Sequence, residues 1–151
     1  MKRILFCCTH NRCRSRMAEA LMRARRPGWE VVSAGSNPEG GVDPGARETL
    51  REIGLEAVGP ARNVFELPLE RFDLIVTLCA TEDLCPLLPA ALRARVLHAP
   101  FDDPSRGVSQ DETERRARYR RVRDAIDGFC ARLVDRLERG GSIEGKFGPK
   151  A

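Results

Sequence analysis

Apolar residues recur along the chain in two rhythms, short continuous runs and helix-spaced steps. Ile4-Leu5-Phe6-Cys7 is a continuous run, the pattern of a strand buried on both faces. A polar loop from Cys8 to Arg14 follows, and Ser15 opens a helix to about Arg26, with Met17, Leu21 and Ala24 on one face and Pro27-Gly28 as its stop. Trp29 to Ala34 reads as a second strand and Gly35 to Asp43 as a loop, with Pro44 in the first turn of a helix ending near Ile53. Asp73-Leu74-Ile75-Val76-Thr77-Leu78 is the clearest buried strand. Residues 79 to 90 read as an irregular or weakly helical connection, Arg95-Val96-Leu97 as a fourth short strand, and the next stretch as a Pro- and Asp-rich loop. The last element is long: Val122, Ile126, Phe129, Leu133 and Leu137 step by three and four within a helix from about Asp111 to Arg139.

Strands alternating with helices predict an α/β fold: one domain over residues 1–139, with a four-stranded, mostly parallel sheet and helices on both faces. Residues 140–151 are Gly-rich without periodicity and are expected to form a flexible tail. In such sheets a ligand sits beyond the carboxyl ends of the strands, at a switch point, which directs attention to the loop after the first strand.

No apolar run approaches the roughly 20 residues of a membrane helix, and the five-residue stretch after Met1-Lys2-Arg3 is too short for a secretory signal. A cytoplasmic protein is expected, without membrane contact. The net charge of +4 is carried almost wholly by arginine, so nucleic acid has to be weighed. The densest run, Arg115 to Arg123, is broken by apolar residues at helical spacing and preceded by Asp111, Glu112 and Glu114. It reads as a solvated helix face, and no zinc-finger or RNA-binding signature accompanies it.

The six cysteines, Cys7, Cys8, Cys13, Cys79, Cys85 and Cys130, change the picture more. A reducing compartment disfavours structural disulfides, and no CxxC or His-rich spacing suggests zinc, so catalytic or redox chemistry is the better account for some of them. Cys7 in a strand and Cys130 in the last helix fit core packing.

The loop Cys8-Thr9-His10-Asn11-Arg12-Cys13-Arg14-Ser15 sets a cysteine, five residues, an arginine and a serine between a strand and a helix. A turn feeding a helix N-terminus aims backbone N–H groups at one spot and favours an anion. Arg14 can close over that anion with two parallel hydrogen bonds, and the same field favours a nucleophilic thiolate at Cys8. Ser15 can donate to the sulfur, and Asn11 can brace the loop. In Asp102-Asp103-Pro104 a carboxyl of either aspartate could give a proton to a departing oxygen, although such a triplet alone is only a turn former.

The stretch CCTHNRCRSRMAEAL (7–21) resembles the signature of the low-molecular-weight protein tyrosine phosphatase fold, in its thioredoxin-coupled arsenate reductase branch. The likeness continues through VVSAG (31–35), VTLCATEDLCPLLP (76–89), FDDP (101–104) and RVRDAI (121–126), in order from about residue 3 to 138. The resemblance implies Cys8 as nucleophile, Arg14 as clamp, Ser15 as thiolate partner and Asp103 as general acid. It further implies a relay in which Cys79 attacks Cys8, Cys85 attacks Cys79, and thioredoxin reduces the Cys79–Cys85 disulfide. Arsenate would be the substrate, with phosphate or sulfate competing, in a monomer without a tightly bound cofactor. Relatives that use mycothiol or glutaredoxin leave the reductant open. Asn11, Glu19, Ser33 and Asn63 match a potassium site of some members, although Asn63 stands where aspartate is expected. His10 replaces a glycine of one branch, and the Cys79–Cys85 interval is one residue short.

Two other functions use the same residues. A phosphatase of this fold shares the loop, but gains nothing from Cys79 and Cys85 and tends to carry tyrosines after its Asp-Pro, where Ser105, Arg106 and Gly107 stand here. A non-catalytic arsenical- or oxyanion-binding protein would bind stoichiometrically without turnover.

Overall fold

The structure is a computed structural model and describes residues 1–79, 88–106 and 111–141. Its regular elements are strand β1 (Arg3–Cys8), helix α1 (Arg14–Arg25), strand β2 (Glu30–Gly35), helix α2 (Pro44–Arg51), strands β3 (Leu74–Thr77) and β4 (Val96–His98), and helix α3 (Glu112–Glu138). The four strands form one sheet in the order β2-β1-β3-β4, and all three pairings are parallel. Every strand and helix predicted from apolar spacing is present, with ends shifted by a few residues at most.

The sheet's centre follows from its most apolar strands. Ile4, Leu5, Phe6 and Cys7 are all fully buried, as are Ile75 and Val76. Alternation sends Ile4, Phe6, Leu74 and Val76 to one core, shared with Met17, Leu50, Ile126 and Phe129 of the three α-helices. Leu5, Cys7 and Ile75 face a second, smaller core. Helical segments cover both faces, but unequally. On the second face the cover among the described residues is three 3₁₀ turns, Val64–Glu66, Leu69–Arg71 and Ala90–Arg95, which supply Val64, Leu69 and Leu92. Pro60, Pro68 and Pro89 punctuate these stretches and keep the helical runs short.

Three local expectations need correction. Ala24 does not share the apolar face of α1; it is exposed, and Ala18 and Met22 join Met17 and Leu21 instead. The arginine run is not wholly solvated: Arg123 is buried, donating to the Thr49 carbonyl at 2.9 Å and to Glu52 at 3.2 Å, while Arg116 pairs with Glu48 at 3.3 Å. These arginines tie α3 to α2. Gly140 and Gly141, assigned to the tail, finish α3: Gly140 takes φ 69°, and the two N–H groups bond the carbonyls of Leu137 and Arg136. No described helix is long and apolar enough to cross a membrane.

Asp43 caps α2 by accepting from the Ala46 N–H at 3.1 Å, and the same carboxylate accepts from the Tyr119 hydroxyl at 2.7 Å. This docking needs Gly45, where a Cβ would come within 2.3 Å of the Tyr119 ring. Gly45→Ala is therefore expected to destabilise the fold by about 1–3 kcal/mol through overpacking. Urea denaturation of both proteins measures this, and an unchanged midpoint would refute the packing argument.

Candidate active site

β1 leads to β2 on one side of the sheet and, after α2, the chain returns to β3 on the other, so the switch point lies between β1 and β3. Cys8 is the last residue of β1 and Cys79 lies two residues past β3. Between β1 and α1 the turn is shaped by its carbonyls. Those of Thr9, His10 and Arg12 accept from the N–H groups of Asn37, Glu39 and Asp43. The described peptides are all trans, so the N–H groups of His10, Asn11 and Cys13 point the opposite way, into the turn. Asn11 holds φ 54°, a left-handed conformation that asparagine tolerates better than most residues.

A directed chain of hydrogen bonds ends on the sulfur. The Arg62 N–H donates to Asn11 Oδ1 at 2.9 Å, Asn11 Nδ2 donates to Ser15 Oγ at 2.9 Å, and Ser15 Oγ lies 2.9 Å from Cys8 Sγ. Asn11 and Ser15 are fully buried. With Asn11 donating to Ser15, the hydroxyl proton is free to stabilise a thiolate at Cys8.

Arg14 reaches across the cavity mouth. Its Nη1 donates to the carbonyls of Phe101 at 3.1 Å and Leu78 at 3.4 Å, and its Nη2 lies 3.6 Å from Asp103 Oδ2. Arg14 Nε is buried without a hydrogen-bond partner among the described residues, a donor that a bound oxyanion would satisfy. The cavity, about 310 Å³, is lined by Cys8, His10, Arg12, Cys13, Arg14, Asp43, Asp103 and Ser105. Of the two adjacent acids, Asp103 lines this cavity, whereas Asp102 is exposed and lines only a neighbouring one. Asp103 is oriented by Ser105, whose N–H and hydroxyl donate to Oδ1 at 3.0 and 2.6 Å.

The low molecular weight phosphotyrosine protein phosphatase family profile matches residues 3–142. The chain belongs to this family. It is 41% identical to the arsenate reductase of Halalkalibacterium halodurans over 128 residues, 83% of this chain and 89% of that protein. Among solved structures, the arsenate reductase of Archaeoglobus fulgidus is 34% identical with a TM-score of 0.64, over 85% of this chain and 99% of that one. The YwlE arginine phosphatase of Geobacillus stearothermophilus is 26% identical with a TM-score of 0.78, over 93% and 95%.

Around the low-molecular-weight phosphatase loop the cysteines divide by environment. Cys79 is half-buried with Sγ 3.4 Å from Thr9 Oγ1; burial pushes its thiol up, the Thr9 hydroxyl opposes this, and Cys8 adds to it. Cys13, in the cavity wall, is held well up by burial and then by Asp43 and Asp103. Burial in the helical core pushes Cys130 up to about 12. None of the described cysteines is joined in a disulfide. Cys85 lies outside the described residues.

Asn11, Glu19, Ser33 and Asn63 do not fit a potassium ion as the family chain folds here. Ser33 Oγ donates to Glu19 at 2.9 Å, and Arg23 and Arg62 pair with Glu19 at 3.0 and 3.3 Å. Asn11 Oδ1 accepts from the Arg62 N–H and, at 3.5 Å, from Arg16, while Asn63 Oδ1 turns away to accept from the Phe65 N–H at 2.9 Å. No cluster of His, Cys, Asp or Glu among the described residues is spaced to hold a metal.

Two site residues escaped sequence reasoning. Arg16 is fully buried, its guanidinium donating to the carbonyls of Val58, Gly59 and Pro60 at 2.6, 3.0 and 3.1 Å. Gly35, at the end of β2 and paired with Cys8, lets the loop approach: a Cβ there would stand 2.5 Å from the Thr9 oxygen and 2.8 Å from that of Cys8. Only the glycine itself was a signal for the second.

Gly35→Ala is expected to displace the loop and lower turnover at least tenfold, about 1.4 kcal/mol, with circular dichroism unchanged. Full activity would show that the backbone contact is dispensable. In the unmodified protein, Cys8 is expected to alkylate first with iodoacetamide, Cys79 next, and Cys13 and Cys130 last, with sulfate protecting Cys8. Peptide mapping reads the order; Cys130 or Cys13 reacting first, regardless of sulfate, would displace Cys8 as nucleophile.

Proposed function

We propose that the chain reduces arsenate to arsenite. The arsenate reductase relatives support this, and the observation that carries it beyond phosphatase chemistry is the Cys79 thiol, 3.4 Å from the Thr9 hydroxyl beside Cys8. Cys8 thiolate attacks arsenic, and the departing oxygen leaves as water with a proton from Asp103. Arg14 and the inward N–H groups hold the remaining oxygens. Cys79 thiolate then attacks the Cys8 sulfur. The sulfur–arsenic bond breaks with its electron pair going to arsenic, which leaves as arsenite, and a Cys8–Cys79 disulfide remains.

In the full cycle Cys85 thiolate attacks Cys79, freeing Cys8, and thioredoxin reduces the Cys79–Cys85 disulfide. Phosphate or sulfate competes for the same cavity. A second reading, phosphate ester hydrolysis, is favoured by the Cys8, Arg14 and Asp103 geometry, which suits a tetrahedral phosphoryl group equally. In that reading water discharges Cys8 and Cys79 is idle.

A coupled assay with arsenate, thioredoxin, thioredoxin reductase and NADPH distinguishes the two. Sustained arsenite formation is expected, abolished in Cys79→Ser; Cys85→Ser is expected to release one arsenite and trap the Cys8–Cys79 disulfide. Phosphate ester turnover unaffected by Cys79→Ser, with no arsenite formed, would favour the phosphatase. Because burial holds Cys79 above the ordinary value near 9, it is mostly protonated at neutral pH and its thiolate fraction grows about tenfold per pH unit below its pKa. Single-turnover arsenite release should therefore climb from pH 7 to 9 without levelling off. A plateau below pH 8 would place another step in control.

A further inference from the structure

Of the four residues that resemble a potassium site, Glu19 is paired with the chain's own guanidinium groups and Asn11 is reached by one, while Ser33 donates to Glu19 and Asn63 turns to the Phe65 N–H. Glu19 is almost completely buried and would be costly there without positive charge. Arg23 and Arg62 supply it at 3.0 and 3.3 Å. Arg62 is fixed through its backbone as well: its carbonyl accepts from the Gly35 N–H at 2.9 Å, next to a parallel bridge between Gly35 and Asn63. Its own N–H sets the direction of the Asn11 amide. Arg16 holds the carbonyls of Val58, Gly59 and Pro60, the strap that delivers Arg62, and also reaches Asn11 Oδ1.

We propose that Arg62, braced by Arg16, is a built-in cation that positions Asn11 and through it Ser15 and Cys8, so that the nucleophile works without a monovalent metal ion. The chain of influence is short. The Arg62–Glu19 pair pins the strap to α1, which keeps the Arg62 N–H on Asn11 Oδ1, which keeps Asn11 Nδ2 on Ser15 and leaves the Ser15 proton for sulfur. A mobile ion would satisfy Glu19 as well, but would be lost by dilution; a guanidinium on the chain is not. Arg62 is a positioning residue and touches no substrate.

The inference rests on Cys8 as nucleophile but not on arsenate as substrate, so the test reads the thiol directly. Iodoacetamide alkylation of Cys8 in the full-length protein is timed by peptide mapping in potassium, sodium and tetramethylammonium chloride at equal ionic strength. The rates are expected to agree within about twofold. Arg62 is two-fifths exposed, so substitution spares the core. Arg62→Ala is expected to slow alkylation roughly tenfold, the scale of one lost charge-assisted hydrogen bond, while Arg62→Lys, which restores the charge, stays within about threefold of the original. Wild-type alkylation several-fold faster in potassium would mean that an ion, not the arginine, does this work. Arg62→Ala matching the wild type, or Arg62→Lys as slow as Arg62→Ala, would also overturn the proposal. A protein that alkylates as expected yet fails to reduce arsenate would overturn the reductase reading alone.

Discussion

The direction of one carboxamide governs this site. The two ends of the Asn11 side chain are not interchangeable, because its oxygen meets the Arg62 N–H while its nitrogen meets Ser15. Reversing the amide would set donor against donor at Arg62 and leave a buried N–H unsatisfied, about 1–3 kcal/mol for each such group. The correct orientation makes Ser15 an acceptor on one side and frees its proton on the other. A backbone group fifty-one residues further along the chain thus bears on whether the Ser15 proton is left for the Cys8 sulfur.

The sheet brings the remaining participants to one place. β1 and β3 are neighbours, so Cys8 and Cys79 emerge side by side from different strands. The segment after β4 continues the same logic, with the Ala99 and Phe101 N–H groups bonded to the carbonyls of Thr77 and Leu78. Phe101 also packs edge-on against Phe129 of α3, with centroids 5.7 Å apart. That segment carries Asp103 to within 3.6 Å of Arg14. The acid is therefore located by the edge of the sheet and by the long helix together.

Much of this was legible in the sequence because the informative patterns are local. Ile4 to Cys7 could only be a buried strand, and a cysteine-to-arginine loop between it and a helix announces an anion site. The helix face was misread at Ala24 because a small residue at the last turn fits periodicity whether or not anything packs on it. Arg16 was opaque for a different reason: a charged residue at that point reads as solvent-facing, and its burial depends on carbonyls more than forty residues away. The same holds for Arg62, and for Arg123 within its run of arginines. Such partners are set by tertiary packing, which spacing does not encode. The likeness to a potassium site singled out Glu19 and Asn11, but spacing gave no sign that Arg23, Arg62 and Arg16 meet them.

Cys8 is not on a loop at all; it is the final residue of one of the two inner strands, in register with Gly35 on one side, while the Cys7 carbonyl before it bonds the Leu78 N–H on the other. Backbone in such a place opens only when the domain as a whole opens. The Cys8 sulfur therefore shares the lifetime of the sheet, so partial fraying of loops and helix ends leaves it in place. In a preparation ageing in storage the position of Cys8 would be lost only with whole molecules, whereas its thiol could still be lost by oxidation in a folded one.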